Sequence, residues 1–152
     1  MKYEKYMREA LNEAKKAELL GEVPIGAVIV HQDKIIARGH NKKESSKKAT
    51  AHAEIIAIEK ACKSLGDWRL SECSLYVTVE PCLMCCGAII QARLKKLVYG
   101  AKNDKFGYVE SVEEILSNPL HNHRVETEKN VCANESAELL QRFFKNNRKT
   151  KG

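Results

Sequence analysis

The sequence predicts an α/β fold in which helices cover both faces of a mixed central sheet of about five strands. Two observations carry this prediction: apolar segments with strand character alternate with segments of helical periodicity, and a hairpin precedes that alternation. A length of 152 residues suits one domain, so we expect a single domain over residues 1–152 with a basic end at 142–152. The content of 43% hydrophobic residues, with 8 Gly and 3 Pro, excludes a disordered or collagen-like protein.

The N-terminal half is predicted to contain two helices separated by a hairpin. Apolar residues three to four positions apart indicate an amphipathic helix that ends near Gly21. Two apolar segments on either side of His31-Gln32-Asp33 indicate paired strands. In chain order we expect a helix, two strands, a polar basic loop and a second helix at 3–20, Ile25–Val30, Lys34–Gly39, Asn41–Lys48 and His52–Leu65.

The C-terminal half alternates short buried strands with helices. Pro81 suits the first turn of a helix, where its missing N–H costs nothing. That helix is apolar on most sides, which predicts a central position. We expect a strand, the central helix, a strand, a short helix, a strand and a closing helix at Leu75–Val79, Cys82–Ala92, Lys96–Tyr99, Val112–Leu116, Arg124–Glu128 and Glu135–Lys149.

Basic residues are concentrated in three segments of a chain whose net charge is +6. Residues 38–48 and 93–105 each hold five basic residues against one acid, and residues 142–152 hold five and no acid. Such segregation favours a polyanionic partner, first of all nucleic acid, with a role in solubility as the alternative. No apolar run reaches the length of a membrane span and the start is charged throughout, so we expect a cytoplasmic protein without a membrane partner.

The pattern of histidine, cysteine and glutamate predicts a catalytic metal site. Cysteines in an intracellular chain favour metal binding or catalysis over disulfides. His52, Cys82 and Cys85 supply three ligands for tetrahedral zinc, which leaves the fourth position for water. Glu54 lies two residues after His52 and could take that water's proton. Cys86 is an alternative ligand, because Cys82 and Cys86 have the i, i+4 spacing that lets side chains meet on a helix.

Two other kinds of site account for fewer of these residues. A structural zinc site would want a fourth protein ligand and no neighbouring carboxylate. A Cys-x-x-Cys redox site has no use for the paired His52 and Glu54. The His-x-Glu pair therefore favours hydrolytic chemistry at a metal.

This pattern resembles the signature of the zinc-dependent cytidine and deoxycytidylate deaminase superfamily, His-x-Glu followed by Pro-Cys-x-x-Cys. The resemblance implies a three-layer, cytidine deaminase-like fold and one zinc ion per subunit. It implies that His52, Cys82 and Cys85 hold the zinc ion, and it makes Glu54 the proton shuttle. It therefore favours Cys85 over Cys86, which stands where many relatives have alanine.

Longer blocks resemble the bacterial tRNA adenosine deaminases over nearly the whole chain. These blocks are VPIGAV at 23–28, GHN at 39–41, AHAEI at 51–55, WRL at 68–70, LYVTVEPC at 75–82, YGA at 99–101, NHRVE at 122–126 and LLxxFF at 139–144. The resemblance implies a homodimeric hydrolase that converts adenosine to inosine at the wobble position of a tRNA anticodon stem-loop. In that chemistry, zinc-bound hydroxide attacks adenine C6 and the glutamate moves the proton.

The same resemblance suggests which residues contact the substrate. Asn41 resembles the residue that hydrogen-bonds the target base, and Lys105 and Phe144 resemble positions near the anticodon loop. Asn103 stands where relatives usually carry Asp, in a loop expected beside the bound nucleotide. The alternative substrate is a free base or nucleoside, namely guanine, cytosine or cytidine, which would have no need of the basic tail.

Overall fold

The computed structural model describes residues 2–151, with side chains as far as residue 147. Its helices are α1 (Lys2–Leu19), α2 (Lys43–Ser46), α3 (Ala53–Leu65), α4 (Leu83–Gln91) and α5 (Ala133–Lys151). Its strands are β1 (Gly26–His31), β2 (Lys34–His40), β3 (Cys73–Val79), β4 (Lys96–Ala101) and β5 (Glu126–Glu128). Among the described helices, none combines the length and the apolar character needed to cross a bilayer.

The five strands form one mixed sheet in the order β2-β1-β3-β4-β5. Strand β1 pairs antiparallel with β2 and β3, whereas β3–β4 and β4–β5 are parallel pairs. The predicted mixed sheet of about five strands is confirmed.

The hairpin between β1 and β2 turns on two residues rather than the three expected. His31 still pairs with Lys34, and the turn residues Gln32 and Asp33 have φ values of 51° and 61°. Positive φ at both positions defines a type I′ turn, whose twist matches that of the flanking strands.

Side chains alternate between the two faces of the sheet, and each face is covered by helices. Val28, Val30, Tyr76 and Val98 pack against α1 on one face, where α5 also joins α1 through Leu139. The opposite face packs against α3 and α4 through the neighbouring strand residues Ala27, Ile29, Leu75, Val77, Leu97 and Tyr99. The structure therefore has the three layers that the sequence predicts.

One edge of the sheet gathers the segments that carry the predicted site residues. Gly26 pairs with His40 and Val79 pairs with Ala101, so the start of β1 and the ends of β2, β3 and β4 lie together. The first turn of α3 packs directly on β2 at this edge. A Cβ on Gly39 would lie 2.5 Å from the Ala53 carbonyl oxygen, so only glycine permits this close approach.

The structure corrects two predicted segments. The predicted loop Asn41–Lys48 contains α2, a single turn in which the Glu44 and Ser45 N–H groups are bound by Glu22, a side chain from outside the segment. The short helix predicted at Val112–Leu116 is wrong: a 3-10 turn at Ile115–Ser117 takes its place. The Val112 and Ile115 N–H groups donate to the preceding loop, at Gly107 and Tyr108, instead of continuing a helix.

Candidate metal centre

His52, Cys82 and Cys85 meet where α3 and α4 begin. His52 is the N-cap residue of α3 and Cys82 is the N-cap residue of α4, both with extended backbones, while Cys85 lies in the first turn of α4. Their ligand atoms all lie within 4.8 Å of one another. We call these three residues the His-Cys-Cys group.

The spacing of the donor atoms fits tetrahedral zinc. The Sγ atoms of Cys82 and Cys85 each lie 3.6 Å from His52 Nδ1. Zinc bonds of about 2.3 Å to sulfur and about 2.0–2.1 Å to nitrogen, at a tetrahedral angle, place sulfur and nitrogen about 3.6 Å apart. No other His, Cys or carboxylate of the described residues belongs to the group, so a fourth coordination position is available to water.

Cys86, which spacing alone left as an alternative ligand, is not a member of the group. Its Sγ lies 3.8 Å from the Pro81 carbonyl oxygen, and the residue is buried. Burial raises the pKa of the Cys86 thiol to about 12, which disfavours the thiolate that a metal requires.

The two cysteines of the group differ in charge before any metal binds. A hydrogen bond from the Cys85 thiol, together with one from His52, lowers the pKa of Cys82 to about 4. Donating to Cys82 and being buried both raise the pKa of Cys85. The hydrogen bond to Cys82 raises the pKa of His52. The pair thus carries one negative charge, and metal binding would release the second thiol proton.

Glu54 lies in the first turn of α3, beside the group. Residues i and i+2 diverge by about 200° within a helix, but His52 precedes the helix and is free of that constraint. The Glu54 side chain is buried, and this burial raises its pKa to about 7, with the negative charge of Cys82 acting in the same direction. A carboxyl group with that pKa can exchange a proton near neutral pH.

Asn41 lies in the segment that leads from β2 to the metal centre. Its Nδ2 donates to the Val23 carbonyl oxygen at 3.3 Å, and its Oδ1 accepts the Lys43 N–H at 3.1 Å. The next residue, Lys42, donates its N–H to Ala51, directly before His52. The structure therefore brings Asn41 to the same sheet edge as the metal centre.

Asn103 and Lys105 lie in the segment that follows β4, residues 103–111, here called the 103–111 loop. The Asn103 N–H donates to Glu80 Oε1 at 3.0 Å, and Asn103 Oδ1 accepts the Phe106 N–H at 3.2 Å. Lys105 is exposed. Since Glu80 precedes Cys82 by two residues, the loop adjoins the turn that carries the metal ligand.

Phe144 is not linked to the metal centre by any described contact. It lies on α5 with 46% of its surface exposed, and its ring packs edge-on against the buried Phe143 at 5.4 Å between centroids. Its predicted place near the RNA stays a prediction. Arg148, Lys149 and Lys151 of the basic tail have side chains outside the described part of the chain.

Two buried carboxylates at this edge escaped sequence reasoning. Glu22 accepts the N–H groups of Glu44 and Ser45, at 3.1 and 2.5 Å, and so holds the first turn of α2. Glu80 accepts N–H groups of the 103–111 loop. The only signal in the sequence is an acid next to a valine and one or two residues before a proline, as in Glu22-Val23-Pro24 and Val79-Glu80-Pro81.

Comparison with known proteins identifies close relatives. The MafB19-like deaminase family matches residues 1–148. A tRNA-specific adenosine deaminase of Bacillus subtilis is 47% identical over 148 residues, which cover 97% of this chain and 92% of that protein. A solved tRNA:A34 deaminase, studied for A-to-I editing at the wobble position of transfer RNA, superposes with a TM-score of 0.86 at 45% identity, over 89% of this chain and 98% of its own. A solved guanine deaminase from Bacillus subtilis gives a TM-score of 0.63 at 46% identity, over 65% of this chain and 64% of its own.

The contacts of Glu22 predict a pH-dependent contribution to stability. Burial alone would raise the pKa of Glu22, but hydrogen bonds from Ser45 and Glu44 hold it below its usual 4.5. Its contribution is therefore fully present above pH 4.5 and is lost as the pH falls through the lowered value. We expect Glu22→Gln to reduce the free energy of unfolding by about 1–3 kcal/mol at pH 7, and by less toward about pH 3.

Urea unfolding of the metal-free protein at several pH values measures this difference. Glu44→Gln is the matched control, because it removes an exposed carboxylate from the same turn. A difference between wild type and Glu22→Gln that stays constant down to pH 3 would contradict the prediction.

Proposed function

Since the chain belongs to the family of tRNA-specific adenosine deaminases, we propose that it hydrolyses adenosine to inosine at the wobble position of a tRNA anticodon. The observation that carries the proposal is the His-Cys-Cys group with the buried Glu54 beside it. A metal site with an open position and a proton carrier is what hydrolytic deamination requires. The extensive identity to tRNA-specific relatives supports tRNA as the substrate.

The chain's own residues account for binding the metal and moving the proton. His52, Cys82 and Cys85 would hold a zinc ion, which when bound would lower the pKa of a water molecule to about 7. Glu54 would take one proton from the attacking water and deliver it to ring N1 of adenine. Glu54 would then move the second proton of that water from the new C6 hydroxyl to the amino group, so that the C6–N bond breaks, a C6 carbonyl forms and ammonia leaves. Adenosine and water thus give inosine and ammonia, with no redox step.

Exposed lysines on both sides of the site support an RNA substrate. Lys43, Lys47 and Lys48 follow Asn41 on one side, and Lys102 and Lys105 lie in or next to the 103–111 loop on the other. Cations placed this way can contact the phosphates of a looped strand while one base enters the site. An unpaired anticodon base can be splayed out at far lower cost than a base in a duplex. Action on tRNA would place the protein in the cytoplasm.

Guanine deamination is the second candidate. The similarity to a guanine deaminase over part of the chain favours it, because both reactions replace an amino group on a purine ring. The two substrates differ in charge: a free base has no phosphates to meet the exposed lysines.

We further propose that the protein works as a homodimer, as its resemblance to tRNA adenosine deaminases implies. Leu83 on α4 is 50% exposed, and Met84 and Gly87 on the same helix are partly exposed, which leaves an apolar face next to the metal centre.

Sedimentation equilibrium is expected to give twice the mass of one chain at micromolar concentration. A single-chain mass across the accessible concentrations would contradict the dimer.

The main test uses an arginine tRNA transcript with an ACG anticodon. We expect the zinc-loaded protein to convert the wobble adenosine to inosine, which reverse transcription reads as guanosine. Glu54→Gln keeps the size of the side chain but cannot carry the proton, so the rate should fall by about 10²–10⁴-fold.

Parallel reactions with guanine separate the two candidates. Ammonia release from guanine without conversion of the tRNA would overturn the proposed substrate and leave the deaminase chemistry in place. Tripling the salt concentration should strongly reduce the rate of tRNA deamination, because salt weakens the binding of phosphates to lysines. The rate of deamination of a free base should stay nearly unchanged.

The geometry also predicts which cysteines hold the metal. Replacing His52, Cys82 or Cys85 by alanine should abolish retention of zinc after dialysis, since each removes one of three protein ligands. Cys86→Ala is the matched control, because Cys86 contacts Pro81 and lies outside the group. Zinc content is measured by atomic emission. Loss of zinc from Cys86→Ala with zinc retained by Cys85→Ala would reverse the assignment.

A further inference from the structure

The Glu80 carboxylate is almost fully buried and receives its hydrogen bonds from a single loop. Oε1 accepts the Asn103 N–H at 3.0 Å and the Ser111 hydroxyl. Oε2 accepts three consecutive N–H groups, of Val109, Glu110 and Ser111, at 3.0, 2.7 and 3.0 Å. One carboxylate therefore fastens both ends of the 103–111 loop at a single point.

The middle of the loop also packs on this carboxylate. A Cβ on Gly107 would collide with the Glu80 carboxylate, so this position leaves no room for a side chain. The Tyr108 N–H donates to the Pro81 carbonyl oxygen at 2.9 Å. The loop is thus held against Glu80-Pro81, directly before the metal ligand Cys82.

The tip of the loop, at Lys105 and Phe106, has no hydrogen bond to the Glu80 carboxylate among the described contacts and is exposed. Lys105 is exposed and Phe106 is 65% exposed, side by side at the tip. An exposed aromatic ring beside a cation is suited to stack on an unpaired base and to meet a phosphate. Hydrogen bonds that use a charged acceptor are roughly twice as strong as neutral ones, so the carboxylate is well suited to hold the tip in one place.

We propose that Glu80 is a positioning residue that orders the 103–111 loop and thereby presents Lys105 and Phe106 to the RNA beside the metal centre. The inference rests on the proposed function, because it names RNA as what the loop contacts. Glu80 itself touches neither the substrate nor the metal ion. Its effect should therefore appear in RNA binding and not in the chemical step.

The test is Glu80→Gln, in which an amide NH2 replaces one acceptor oxygen and faces loop N–H groups. We expect KM for the tRNA to rise about tenfold, as expected for lost hydrogen bonds to a charged group, with kcat changed less than about twofold. Zinc content should be unchanged. Glu110→Gln is the matched control: it removes the same charge in the same loop, but its side chain binds Tyr99 and Lys129 rather than loop N–H groups.

A double-mutant cycle with Lys105→Ala distinguishes positioning from a general loss of structure. If Glu80 acts through the loop, Lys105→Ala should raise KM in the wild type and have little further effect in Glu80→Gln. Fully additive effects would overturn the proposal, and so would a fall in kcat with KM unchanged. If Glu80→Gln does not fold, Ser111→Ala, which removes only one donor, should give a smaller change in KM with the same non-additivity.

Amide hydrogen exchange separates failure of this inference from failure of the proposed function. Without RNA, exchange at Val109, Glu110 and Ser111 should be faster in Glu80→Gln than in wild type. Unchanged exchange overturns the inference whatever the activity. The other outcome is faster exchange in Glu80→Gln combined with a wild-type protein that makes no inosine in tRNA. It would show that the loop is ordered by Glu80 but that the proposed substrate is wrong, and it would overturn the role of the loop in presenting residues to RNA.

Discussion

The pairing of β3, antiparallel to β1 and parallel to β4, fixes where this protein can perform chemistry. Because of it, the start of β1 and the ends of β2, β3 and β4 reach one edge of the sheet. Both helices that follow β2 and β3 on the same face, α3 and α4, begin at this edge and pack on the same core. Two helix N-termini are thereby brought together, and their free N–H groups and positive dipole ends favour the thiolates that bind a metal.

At those helix starts, the candidate metal ligands His52 and Cys82 take the place of capping residues. His52 and Cys82 are both N-cap residues, yet neither side chain makes a capping hydrogen bond. A capping side chain usually stabilises a helix by about 1 kcal/mol, so each helix forgoes that contribution. The two side chains instead approach each other, with Cys82 Sγ 3.6 Å from His52 Nδ1. The free energy of binding a metal, which for structural zinc reaches about 10–16 kcal/mol, would be ample to offset the loss.

Periodicity predicted the helices on both faces and the mixed sheet, and motif spacing predicted a metal site with His52 and Cys82, because these depend on local patterns of apolar residues and ligands; the family resemblance selected Cys85. They did not predict α2 or the fold of the 103–111 loop. The Glu44 and Ser45 N–H groups of α2 bind Glu22, which lies about twenty residues earlier in the chain. The loop is held by Glu80, which precedes it by a similar distance. Local pattern cannot reveal such long-range hydrogen bonds, and spacing alone could not separate Cys85 from Cys86, since both lie within one turn of Cys82.

Three buried glutamates at the same edge, Glu22, Glu54 and Glu80, differ in pKa although they have the same side chain. Burial acts on all of them by disfavouring the charged form. Glu22 and Glu80 receive several N–H groups each, and these bonds outweigh burial and hold the pKa of both below 4.5. Burial has the largest effect on Glu54 and, together with the negative charge of Cys82, raises its pKa to about 7. Two carboxylates that stay charged can hold loops, while the third can exchange a proton. Hydrogen bonds from backbone N–H groups therefore distinguish the two carboxylates that stay charged from Glu54, in which the effect of burial prevails.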